Sequence, residues 1–192
     1  MINNIVFILE EKSAKALLEN MLPRLFGDRS YNIQYITFSG KQDLLKNIDG
    51  KILGWKVPNT LFFVLCDKDN DDCFELKQKL LSKCRNHTSE QQSIIRIACR
   101  ELETFYLGDL EAVENALNLK DIRRHQLNKN CRNPDEMQGK PSDYLTQLTG
   151  NAYQKTASSR EIGKHIQLKV GINTSACFNF FISALRGIAE IL

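Results

Sequence analysis

The chain has 192 residues, 26 Lys and Arg against 23 Asp and Glu, a formal charge of +3, 42% apolar residues, 10 Gly and 4 Pro. These values fit one compact soluble unit and exclude disordered, collagen-like and mucin-like chains, which need lower hydrophobicity or far more Gly, Pro or Ser. A charge so near neutral does not by itself imply a polyanionic partner, because binding depends on where cations cluster.

No segment approaches the roughly 18 to 20 apolar residues of a spanning helix, and the run from Ile5 to Leu9 is too short for a signal-peptide core. A cytoplasmic protein with no membrane attachment is expected. The six cysteines include no C-x-x-C pair, so neither a zinc ribbon nor a disulfide framework is suggested. Cys66, Cys99 and Cys177 lie in apolar runs and read as small buried hydrophobes.

In chain order, residues 5–9 read as a strand buried on both faces. A helix follows with Ser13 as N-cap, apolar residues from Ala14 to Phe26 at helical spacing, and Pro23 kinking or ending its last turn. After a turn at residues 27–30, residues 31–38 form a second strand. Ser39 and Gln42 have the spacing of a capping box, opening a helix with Leu44, Leu45 and Ile48 inward. Residues 61–66 are the clearest strand, stopping abruptly at Asp67. A helix with Leu76, Leu80 and Cys84 on one face, a polar loop over residues 86–92 and a strand over residues 93–99 complete a β-α-β-α-β-α-β order. Short connections in that order predict an α/β fold: a mainly parallel sheet flanked by helices. Beyond residue 101 the patterns are helical, at 101–107, 110–118, 142–148 and 159–166, then a last helix capped by Thr174. Residues 128–141, with two prolines and one glycine, read as an exposed, mobile polar loop. Residues 1–108 are thus expected to form the α/β core and 109–192 a helical C-terminal half packed on it.

Parallel sheets bind ligands at the carboxyl ends of their strands, and the acids gather there. Glu10 and Glu11 end the first strand, Asp67, Asp69, Asp71 and Asp72 the third, and Glu101 and Glu103 follow the fourth. Adjacent carboxylates repel one another unless a cation offsets them, and hard oxygen ligands suit Mg²⁺ or Mn²⁺. Asp67 and Asp69 in D-x-D spacing are the first candidates. Asp71 and Asp72 equally suit capping of the next helix, and Glu11 and Glu103 suit solvent exposure or a surface ion pair. An EF-hand is excluded because Asp72 and Gln78 stand where glycine and glutamate are needed.

A glutamate ending the first strand (Glu10), with an apolar strand ending in D-x-D two strands later, resembles the Toprim domain of topoisomerases, primases and OLD-type nucleases. The strings LEEKSAKALLENMLPRLF, GKQDLL, FFVLCDKDNDDC, RIACRELETFYLGDLEAVE and AYQKTASSREIGKHI resemble a Toprim-like family catalogued as domain of unknown function 4276. The resemblance implies that Glu10 is a general acid or base in phosphoryl transfer and that Asp67 and Asp69 hold Mg²⁺. Glu10 itself, Asp72, Glu101 and Glu103 are further candidate ligands. Toprim sequences usually place glycine after the glutamate, where this chain has Glu11. It further implies a Mg²⁺- or Mn²⁺-dependent nuclease cutting DNA or RNA, working with an ATPase partner in anti-phage defence, with a homodimer possible. The alternatives are a non-catalytic metal- or nucleic-acid-binding subunit and a Toprim-related phosphotransferase.

Phosphodiester cleavage also needs cations on the substrate side. Residues 120–132 carry five basic side chains, including Arg123 and Arg124, against Asp121 alone. Residues 155–169 carry Lys155, Arg160, Lys164 and Lys169 against Glu161. Both tracts are candidate backbone-binding surfaces, with solvated helix faces as the plainer reading. Lys41 and Arg100, near predicted strand ends, are better placed for a phosphate beside the metal, and Lys41 is a candidate catalytic residue. His125 and His165 read as surface residues, Trp55 and Tyr106 as packing residues, and Tyr153 stays open. No P-loop or G-x-G-x-x-G is present.

Overall fold

The computed structural model describes residues 3–27, 31–85 and 92–190. Four parallel strands, β1 (Asn4–Leu9), β2 (Asn32–Thr37), β3 (Thr60–Asp67) and β4 (Gln92–Ala98), lie in the order β2-β1-β3-β4. The two central strands are the solidly apolar ones: Ile5 to Leu9 are fully buried, as is nearly all of β3. Such runs are what a strand covered on both faces requires.

Alternation along these strands divides the core. Val6, Ile8, Phe62, Val64 and Cys66 pack against α2 (Lys41–Leu53) and α3 (Cys73–Arg85). Phe7, Leu9, Phe63 and Leu65 face α1 (Lys12–Phe26) and the later helices: α4 (Glu103–Leu107), α5 (Leu110–Ala116), α7 (Pro141–Leu148), α8 (Lys155–His165) and α9 (Ala176–Glu190). Helix α8 lies directly on α1, because Gly163 lets the backbones meet; a Cβ there would stand 2.6 Å from the Leu17 carbonyl oxygen. That packing brings the start of α8 to the end of β1.

Several local expectations are corrected. Glu11, not Ser13, is the N-cap of α1; Ser13 is buried in its first turn and donates to Glu11 Oε1 at 2.8 Å. No capping box forms through Gln42: Gly40 is the N-cap of α2, and the Ser39 N–H donates to Asp43 Oδ2 at 2.9 Å. Ser175 rather than Thr174 receives the Phe178 N–H at the start of α9, while Thr174 Oγ1 donates to the Cys131 carbonyl. The segment read as a mobile loop over 128–141 contains α6 (Lys129–Arg132) and a 3₁₀ turn (Pro134–Glu136), anchored by buried Cys131, Pro134 and Met137. The polar loop expected over 86–92 falls almost wholly outside the described residues, as does most of the turn at 27–30. Among the described residues no helix is long and apolar enough to cross a membrane.

Candidate active site

The chain runs from β1 outward to β2, then crosses to the other side of β1 to form β3 and β4. The carboxyl ends of β1 and β3 therefore flank the switch point of the sheet, where an open α/β fold has its binding crevice. Glu10 follows β1 directly and Asp67 closes β3. Glu10 Oε2 accepts the Asp67 N–H at 2.9 Å and the Cys66 thiol at 3.2 Å. Burial raises the Glu10 carboxyl above its usual range despite these bonds, and Asp69 adds to the rise while Lys41 opposes it.

Asp67 projects to the α1 and α8 side. Its carboxyl is pushed well above the usual range, first by burial and then by the charges of Glu10, Glu103 and Glu11. Glu103, expected at the surface, is fully buried at the start of α4. Its Oε1 accepts the Tyr153 hydroxyl at 2.7 Å, while Oε2 is buried with no partner. Burial raises this carboxyl too, with Tyr153 and Lys155 opposing. Lys155, delivered by α8, pairs with Glu11 at 2.7 Å. Burial works to lower its pKa, but Glu11, Glu103 and Asp67 outweigh that and raise it to about 12. Four acids, Glu10, Glu11, Asp67 and Glu103, thus converge with one lysine.

A second cation stands on the other side. Lys41 Nζ reaches Asp69 Oδ2 at 2.7 Å, Asp71 Oδ2 at 2.8 Å and the Lys68 carbonyl at 2.9 Å. Burial would lower its pKa, yet the two aspartates raise it. Asp69 does not continue the strand. It has φ 50°, Arg100 has φ 64°, and the Asp69 N–H donates to the Arg100 carbonyl at 2.7 Å, so the two chain ends turn out together. In consequence the two D-x-D acids have different neighbours, Asp67 among the glutamates and Asp69 at Lys41.

Two predicted acids have other tasks. Asp72 Oδ1 accepts the Phe74 and Glu75 N–H groups, both at 2.9 Å, as the cap of α3, and Glu101 Oε2 accepts the Ser142 N–H at 2.8 Å in the first turn of α7. The basic candidates are dispersed. Arg123 pairs with Glu111 and Glu114, and with Arg124 it lines a cleft of about 530 Å³. Lys164 pairs with Glu161, Arg160 is exposed on α8, and Arg100 donates to the Gly139 carbonyl at 3.3 Å. The residues that sequence reasoning left aside are Glu11 and Tyr153. Both are polar residues adjoining predicted elements, but only the packing of α8 shows where they point.

Among the described residues no three acidic, histidine or cysteine side chains already stand as a metal-ligand set. The donor chemistry nonetheless fits a hard divalent cation. Buried carboxyls with raised pKa values and the orphaned Glu103 Oε2 are groups that such an ion would satisfy.

Beside Arg100, Cys99 and Cys177 correct the expectation of buried hydrophobes: both are half-buried, and their sulfurs touch at 2.6 Å. The Cys177 thiol lowers the pKa of Cys99. Treatment with diamide is expected to join them, the two thiols passing two electrons and two protons to the oxidant. Closing a loop between residues 78 apart raises stability by about 4.5 kcal/mol in the chain-entropy account. Peptide mapping without reductant and a thermal melt check this, and a disulfide elsewhere, or none, counts against it.

The fold and site define a parallel α/β protein with an acidic, lysine-flanked crevice at its switch point. The family model described as Domain of unknown function (DUF4276) matches residues 9–186, and the chain belongs to that family. No curated protein matches significantly in sequence. Among solved structures, the chain is similar to the C-terminal region of the Burkholderia pseudomallei OLD protein, with a TM-score of 0.53 and 15% identity over 98% of this chain and 99% of that one. At that identity the likeness concerns the fold.

Proposed function

We propose that the chain is a divalent-metal-dependent nuclease of Toprim type. The observation that carries this reading is the meeting of Glu10 and Asp67 at the switch point, joined by a 2.9 Å hydrogen bond and backed by buried Glu103. Asp67 and Glu103, with Asp69 or Glu11, would hold Mg²⁺ or Mn²⁺, which supplies charge stabilisation for phosphoryl transfer when bound. Glu10, its carboxyl raised by burial, holds or releases a proton as general acid or base at Oε1, since Oε2 accepts the Asp67 N–H and the Cys66 thiol. Lys41 and Lys155 balance the acids from both sides and stand where nonbridging phosphate oxygens would need them. The fold likeness to the OLD C-terminal region is consistent with this reading, and the proposal includes the anti-phage role alongside an ATPase partner that the Toprim resemblance implies.

A second reading has its own support. Lys155 on Glu11 and Lys41 on Asp69 already balance part of the acidic charge, as they would in a non-catalytic subunit. The test incubates purified chain and Mn²⁺ with plasmid, single-stranded DNA and transfer RNA, alone and with any ATPase encoded beside it. Cutting that EDTA abolishes is expected. Failure on all three substrates in both settings rejects the nuclease.

A further inference from the structure

A groove of about 750 Å³ opens beside the acidic crevice, between the carboxyl ends of β3 and β4 and the segment of α6 and the 3₁₀ turn after it. Lys68, Arg100, Lys129 and Arg132 line it, with Asp135 and Glu136. Lys68 follows Asp67 in the chain, and Arg100 holds the Asp69 N–H, so the groove begins where the D-x-D acids end.

Lys41, Lys155, Arg123 and Lys164 all have acidic partners, whereas among the described residues none of the four groove cations is in an ion pair. Arg124 and Arg160 also lack one, but among the described residues only the groove gathers four such cations around one space. Asp135 does not serve them: its two oxygens accept Ser175 Oγ at 2.7 Å and the Cys177 N–H at 2.9 Å, at the start of α9. Four cations against Asp135 and Glu136 leave the lining at +2, four minus two, and a net positive charge in a concave polar space favours an anion. The wall is preformed, because Cys131, Pro134 and Met137 are buried beneath it and Gln126 Nε2 holds the Cys131 carbonyl at 2.8 Å. Among the described residues no aromatic ring lines the groove, so the contacts it offers are to phosphate rather than to stacked bases.

We propose that this groove binds the phosphodiester backbone of a nucleic-acid strand and leads it to the acidic crevice. The destination rests on the nuclease reading above; binding in the groove does not. The track is independent of base sequence and runs through Lys129 and Arg132 rather than along α8.

The test measures anisotropy of fluorescein-labelled single-stranded DNA and, separately, single-stranded RNA, in EDTA so that binding is read without cleavage. Lys129→Gln with Arg132→Gln is expected to weaken binding about ten-fold at low salt. Losing two phosphate contacts lowers the slope of log affinity against log salt by about 1.4. The arms show which strand is the ligand. Arg160→Gln with Lys164→Gln removes the same charge outside the groove and is expected to leave affinity within about two-fold. Lys129 and Arg132 are exposed, so folding should survive. If the double variant melts early, Lys129→Gln alone should still halve the slope change. An unchanged salt slope in the groove variant, equal losses in the two double variants, or no binding by the unaltered chain overturns the proposal. Binding without cutting in Mn²⁺ would instead reject only the nuclease.

Discussion

Asp67→Asn should lower Mn²⁺-dependent cleavage by about 10²–10³-fold and at the same time make the metal-free protein more stable. Asp67 is buried, and its neighbours Glu10, Glu103 and Glu11 all disfavour its charge, against a backbone N–H bond from Leu102. Asn keeps the shape and an accepting oxygen but carries no charge, so the repulsion vanishes along with the metal ligand. A higher melting temperature is expected, of the kind seen when a strained active-site group is neutralised. Thermal melts in EDTA beside initial rates in Mn²⁺ check both halves. If the variant melts lower and still cuts, Asp67 is a structural residue and the crevice is not the catalytic site.

The metal-free protein should lose stability as pH rises from weakly acid to neutral, with Mn²⁺ reversing much of the loss. Asp67, Glu103 and Glu10 all have folded pKa values above the reference values of 3.8 for Asp and 4.5 for Glu. In the window between unfolded and folded values, the unfolded chain has released protons that the native state still holds. Unfolding is therefore favoured as pH climbs: the native advantage is full below the unfolded pKa values and is lost through the folded ones. Asp109, raised by burial against bonds from the Gln167 and Ala112 N–H groups, contributes in the same direction, but a metal in the crevice leaves it untouched. Ligand binding to the native state alone stabilises it by mass action, so added Mn²⁺ should flatten the curve and Asp67→Asn should flatten it without metal. A melting temperature that rises steadily from pH 5 to pH 8 in EDTA would contradict the acid cluster.

The strands and the first three helices were legible because their signals are local. Five consecutive apolar residues at Ile5 to Leu9, a longer apolar run into Asp67, and Leu76, Leu80 and Cys84 at helical spacing each identify an element without reference to the rest. The caps were less legible. Ser13 and Thr174 have the right chemistry, but which of two nearby polar residues caps a helix depends on where packing lets the helix begin. The segment over 128–141 was misread for a related reason. Its composition is that of a loop, and only Cys131, Pro134 and Met137 reaching the core make it a fixed wall.

By itself the sequence determined the parallel α/β order and placed Glu10 and Asp67 at strand ends, since apolar periodicity and abrupt charge are properties of neighbouring residues. It could not decide which acids share a site. Glu103 and Tyr153 are 50 residues apart, Lys155 is far from Glu11 in the chain, and α8 joins them only because Gly163 permits close packing on α1. Nor could it separate paired from unpaired cations. Arg123 and Lys164 look as available as Lys129 and Arg132 in a charge count, and only the folded chain shows which have acidic partners. Coulombic and hydrogen-bonding partnership falls off within a few ångströms, so it is set by distances that tertiary packing alone creates.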